Sequence, residues 1–215
     1  MNNIFIGLTF GLLTNIVLAA EGDWELQRDK EDIQVFTRSV EGSPYKEVKV
    51  ESTFEGRISS LVALIGDADA CSEWAEGCEN SYFYERISES EAYIYTHNNL
   101  PFPVKDRDVL AHVKWTQDSR SKAVEMLSVA TTDILEPIPG RVRLTEAKTT
   151  WRFEPLGKGQ VKVINQTHMD PGSSLPGWIT NMLLVDTPFQ TMKAFKAEAL
   201  EPKYADVSVP FITEP

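Results

Sequence analysis

The chain has 215 residues, 32 acidic against 21 basic, giving a net charge of −11 at neutral pH and a pI near 4.8. Phosphate backbones and anionic lipid surfaces need clustered lysine and arginine, so this balance argues against nucleic acid as a partner and against tight electrostatic docking on a membrane. A hydrophobic share of 42% supports a sizeable core and argues against disorder. An apolar ligand is indifferent to net charge.

The first twenty residues carry no charged side chain, and the apolar stretch Ile4 to Leu18 is followed by Ala19 and Ala20. This reads as a secretory signal peptide over 1–20, leaving one domain over 21–215. An uncleaved anchor is the rival, because twenty residues rising about 1.5 Å each just span a bilayer. Either reading places the folded part outside the cytoplasm, periplasmic or secreted.

Short alternating segments at 24–30, 33–40 and 45–56 predict three strands. Ile58, Leu61, Val62, Leu64 and Ile65 then fall at helical spacing, predicting a helix over 57–68. A second short helix over 70–76 carries Trp74. It is flanked by Cys71 and Cys78, a pair that suggests a disulfide in an exported protein. A continuous helix would hold the two Cα atoms about 10 Å apart, too far to bridge, so a bridge requires the helix to stop first. Gly77 suits that stop. Two buried free thiols are the alternative.

Strands return at 81–88, 91–99, 108–117, 122–132, 141–156 and 160–169, separated by short polar gaps as in an antiparallel meander. On 108–117, Val109, Ala111, Val113 and Trp115 share one face. Met126 shares a face with Val124 on the next strand. After DPGSS, with Ser173 or Ser174 as N-cap and Pro176 in the first turn, Trp178, Ile179, Met182, Val185, Phe189, Met192 and Phe195 form a helical stripe. Pro188 predicts a kink or split near Asp186 and Thr187. A sheet of this size curls, and one long helix closes its concave side. The fold class expected is α+β, a helix-grip arrangement with a curved antiparallel β-sheet under a long C-terminal α-helix.

PFPVKDRDVL (101–110) sets four charges at a strand mouth. Alternation puts Arg107 on the face of Val109 and Trp115, where a guanidinium needs an acid, from Asp106, Asp108 or a neighbouring strand. It serves either as a structural ion pair fixing register or as a contact to a bound ligand. Thr149, Trp151, Asn165 and Thr167 share a layer in which a few polar groups orient a hydroxyl or headgroup, or satisfy one another. The stripe of Trp178, Met182, Phe189, Met192 and Phe195 lines a cavity or packs a core. His97, His112 and His168 are far apart in sequence. HExxH, GxSxG, P-loop and GxGxxG patterns are absent from the sequence, so no cofactor or metal is expected.

Taken in order, several features resemble the START (steroidogenic-acute-regulatory-related lipid-transfer) family in its exported bacterial form, over roughly 24–202. They are Asp67 with Trp74, PFPVKDRDVL, Trp151 in TTWRFEPL, DPGSSLPGWITNMLL, Pro188 in the last helix, and the trio Cys71, Trp74 and Cys78. The resemblance implies an internal apolar cavity for one lipid or sterol-like ligand, transient membrane contact, and a monomeric carrier rather than an enzyme. Its candidate ligand-binding residues are Trp74, Arg107, Trp115, Met126, Thr149, Trp151, Asn165, Thr167, Trp178, Met182 and Phe189. The same fold serves polyketide cyclases and aromatases, in which His97, Arg107 or His168 would do acid–base work. A third reading is a partner-binding module with a filled core.

Overall fold

The computed structural model describes residues 23–215, and the expected signal segment lies outside them. In chain order the elements are β1 (Glu25–Lys30), β2 (Ile33–Ser39), β3 (Lys46–Glu55), α1 (Ile58–Gly66), a 3-10 turn (Ala68–Ala70) and α2 (Cys71–Trp74). Then come β4 (Cys78–Ser88), β5 (Glu91–Asn98), β6 (Arg107–Gln117), β7 (Val124–Ala130), β8 (Val142–Arg143), β9 (Ala147–Gly157) and β10 (Gln160–Met169). The chain closes with α3 (Gly177–Asn181), a π-turn (Met182–Asp186), α4 (Thr187–Glu198) and α5 (Pro202–Ala205).

The strands form one curved sheet in the order β1-β2-β3-β10-β9-β7-β6-β5-β4, with β8 beside β6. All pairings are antiparallel except β6 with β8. The segment expected as one strand over 141–156 is therefore two pieces. Val142 and Arg143 run parallel to Arg107 and Asp108, and the antiparallel strand begins only at Ala147.

Period-two alternation sends Val48, Val50, Val113, Met126, Trp151, Phe153, Val161 and Val163 into the core under the helices. The opposite face is also covered locally. Tyr95 and Leu110 are buried on that side, where residues 131–146 are held by bonds from Tyr84 Oη to the Ile134 carbonyl, from Arg143 to Asp108 and from Arg141 to Tyr95 Oη.

The final helix departs from expectation at its start. The helix begins at Gly177 with Pro176 as N-cap and no side-chain cap, two residues later than the expected Ser174, while Ser173 accepts from Arg107. The expected split at Asp186 and Thr187 is present as a change of winding. The π-turn ends at Asp186, and ordinary helix resumes at Thr187 with Pro188 in its first turn. A proline lacks the N–H that would bond back four residues, and wider winding before it absorbs that loss.

The cysteines are bridged, with Cα atoms 6.0 Å apart. The helix stops at Trp74, earlier than Gly77 suggested, and Gly77 supplies the left-handed turn (φ 83°) that brings Cys78 back. Trp74, thus pinned, meets Trp151 and Phe195 at centroid distances of 5.9 and 5.2 Å. Replacing both cysteines by serine is expected to lower unfolding free energy by about 2–3 kcal/mol through the freed loop. Urea denaturation of oxidised wild type and variant checks this.

Candidate functional site

Beneath the last helix the sheet does not fill. A hollow of about 530 Å³ opens between the β3, β5, β6 and β10 side and the helix segment carrying Met182, Leu183 and Pro188. An adjoining lobe of about 560 Å³ lies towards β2, β3 and α3. Val48, Thr167, Met169, Pro171, Leu175 and Leu183 wall both lobes. The lining is chiefly apolar, with Asn98, Asn99, Arg107, Asn165, Thr167, Thr187, Thr191 and the exposed Glu76 as the polar residues of the first lobe.

The candidate residues divide among several places. Arg107, Asn165, Thr167 and Met182 line the first lobe. Thr149 stands behind it, its hydroxyl 3.0 Å from that of Thr167, its partner in register across β9 and β10. Asn165 is oriented by donating from Nδ2 to the Thr150 carbonyl at 3.2 Å. Trp74, Trp151 and Phe189 belong to the packed core instead of the lobe walls. Trp151 and Phe195 lie 4.7 Å apart, with Phe153 stacked behind them, and this aromatic plug lines neither lobe. Phe189 takes the Arg28 guanidinium over its ring.

Trp115 and Met126 line a separate pocket of about 220 Å³ under α1 and residues 207–211, where Phe211 covers Trp115. Trp178 is 54% exposed, because its neighbour Ile179 takes the inward position. The cavity assignment of these six aromatic and methionine side chains is corrected accordingly.

The four charges of VKDRDV separate by face. Arg107 lies with the hollow, and Asp108 lies on the far side. Neither acid beside Arg107 pairs with it, contrary to expectation. Its Nε donates to the Pro171 carbonyl at 3.2 Å, Nη1 to the Lys105 carbonyl, and Nη2 to Ser173 Oγ at 2.9 Å. Burial pushes its pKa down. Asp108 accepts from Arg143 at 2.9 and 3.1 Å and from Tyr95 Oη at 2.9 Å. Burial opposes its ionisation, but those bonds outweigh burial and hold its carboxyl below the usual range.

The histidines are dispersed. His97 Nε2 lies 3.0 Å from Asp106, His112 Nε2 2.7 Å from Glu91, and His168 Nε2 3.1 Å from Ser43 Oγ. None lines either lobe.

Sequence reasoning missed Leu175, Leu183, Leu184 and Thr191, which wall the hollow. A π-turn inserts one extra residue per turn, so the 3.6-residue rhythm loses phase across Met182–Asp186. Pro188 was the available signal for that shift. Val48 was legible from the β3 alternation but was not singled out.

The START domain family model matches residues 12–201. The crystal structure of a STAR-related lipid transfer protein from Xanthomonas axonopodis is 33% identical and covers 82% of this chain and 98% of its own, at a TM-score of 0.75. Human STARD10 has the same fold at 18% identity, a TM-score of 0.75, and coverage of 87% and 79%. Human phosphatidylcholine transfer protein is 24% identical over 166 residues, 75% of this chain and 77% of that protein. With the helix-grip architecture, the hollow beneath its last helix and a family match over most of its length, this chain belongs to the START family.

Proposed function

We propose that the protein binds a lipid or other hydrophobic small molecule in the two-lobed hollow and transfers it, with the last helix as gate. The observation that carries this reading is the hollow itself: two adjoining lobes of about 530 and 560 Å³, walled by Val48, Met169, Leu175 and Leu183. Ligand pockets for small molecules occupy that size range. An apolar ligand burying roughly 400 Å² gains about 10 kcal/mol at 25 cal/mol/Å², before association costs. The relatives named as lipid transfer proteins support the same reading.

Carriage, not catalysis, fits the placement of the titratable groups. Of the acid–base candidates of a cyclase, His97 and His168 line neither lobe and are held by Asp106 and Ser43, and Arg107, which lines the first lobe, stays a protonated guanidinium in a protein and is a poor proton shuttle. Exchange requires an opening. Pro171, Gly172, Pro176 and Gly177 lie at the root of the last helix, and Gly172 has a positive φ of 74°. The opposite lip is the 99–106 loop, in which Leu100 and Pro101 line the hollow and Phe102 is 94% exposed. Phe102 suits transient contact with a membrane. We further propose an exported, monomeric protein. The bridged cysteines favour an oxidising compartment, and the charge-free N-terminal stretch has signal-peptide length.

Extraction of the protein purified from its host, followed by mass analysis, is expected to release a stoichiometric lipid, and absence of any lipid from several preparations would sink the reading. An engineered disulfide joining Met182–Asp186 to β3 is expected to stop transfer of a fluorescent lipid between vesicles and to restore it on reduction. Unchanged transfer by the oxidised, cross-linked protein counts against gating by this helix.

A further inference from the structure

Two arginines are buried where β6 starts beside β8, and they are compensated differently. Arg143 sits on a carboxylate, donating through Nε and Nη2 to Asp108, whose side chain is wholly buried. Arg107, 4% exposed, meets only neutral acceptors: two backbone carbonyls and one hydroxyl. It appears in no ion pair among the described residues. The aspartates around it are engaged elsewhere. Asp106 accepts from the Leu100 N–H and meets His97, Asp108 serves Arg143 and Tyr95, and Asp170 accepts from the Gly172 N–H.

A guanidinium stays charged in a protein and carries five N–H donors. Three are occupied here. Burying a cation away from water is costly unless an anion meets it, and the chain has supplied that anion to Arg143. Asp108 holds the Arg143 pKa up, whereas burial pulls the Arg107 pKa down. Arg107 lines the first lobe beside Asn98, Asn165 and Thr167, and the one carboxylate on that lining, Glu76, is exposed to solvent.

We propose that the ligand of this hollow carries an anionic head, a phosphate or carboxylate group, seated against Arg107, with its apolar chain running between Val48, Met169, Leu175 and Leu183. This rests on reading the hollow as a lipid site and specifies the chemistry of what enters it. Two parallel N–H···O bonds from one guanidinium are the strongest way to hold such a group. Asn165 and Thr167, fixed by the Thr150 carbonyl and by Thr149, offer further polar contacts on the same wall.

The test is calorimetric titration of the protein, freed of co-purified lipid and below micelle-forming concentrations, with dodecyl phosphate, dodecanoate, dodecanol and inorganic phosphate. At least one of the two charged amphiphiles is expected to bind tenfold or more tighter than dodecanol, and the better one names the head group. Inorganic phosphate is expected to give no binding at millimolar concentration. Equal affinity for all three chains overturns the proposal while leaving lipid carriage standing. Failure of all three to bind counts against the carriage reading itself. Inorganic phosphate matching dodecyl phosphate overturns it too, because the hollow then contributes nothing. In a folded Arg107→Gln protein the charge preference is expected to vanish with dodecanol affinity unchanged, and a preference kept there overturns the assignment of Arg107. Should that variant not fold, the wild-type series decides alone.

Discussion

Asp108→Ala lowers the unfolding free energy by about 3–5 kcal/mol, the cost of stranding a buried charge by removing its partner. Arg143 is 6% exposed at its side chain and would be left with the Leu135 and Glu136 carbonyls, while Tyr95 Oη loses its acceptor. The damage is not confined to one pair. Arg143 is the clamp that holds residues 131–146 on the side of Tyr95 and Leu110, so the segment is expected to loosen as a unit. Hydrogen exchange should show lost protection at Leu144, whose N–H bonds to the Asp108 carbonyl, together with the denaturation shift. A loss under 1 kcal/mol would contradict the clamp.

The same residue sets an acid limit. Its folded-state pKa is depressed, so its contribution is fully present above the unfolded carboxylate value of about 3.9 and is lost as pH falls through the folded value. Wild-type stability should fall on acidification below about pH 4, and the Asp108→Ala protein should show a shallower slope there.

Phe195→Ala costs about 3–5 kcal/mol by removing a wholly buried ring from the centre of the aromatic plug. The ring lies 4.7 Å from Trp151, 5.2 Å from Trp74 and 6.4 Å from Phe153, and the bridged Cys71 and Cys78 limit how far Trp74 can follow inward. The site therefore collapses poorly, which puts the loss at the upper end of that range. Guanidinium denaturation reads the loss.

Much of this architecture is written in local pattern. Alternation at Val109, Ala111, Val113 and Trp115 assigns the buried face of β6, and the same rule puts Arg107 with the hollow. The helix stripe, the proline break and the need to end α2 before Cys78 are likewise consequences of short-range geometry. What escapes is whatever depends on how far a side chain sits along a shared face. Trp115, Trp151 and Arg107 all point to the concave side, yet one meets Phe211, one joins the plug and only the third lines the hollow. Periodicity specifies a face and is silent on depth. The pairing of Asp108 with Arg143 was equally hidden, because 35 residues separate them in the chain and the strand β8 that joins them is two residues long.

The N-terminal hairpin reaches the rest of the sheet only through the pairing of β3 with β10, in which Phe54 sits opposite Val161 and Ser52 opposite Val163. Roughly a hundred residues must leave the ribosome after β3 before that partner exists, a wait of about 5–20 s at ordinary elongation speeds. For that interval the growing chain presents an open, apolar-faced edge of the kind that recruits other strands. Newborn molecules of this protein are thus exposed to aggregation late in translation, and holdase chaperones have their opportunity in that window.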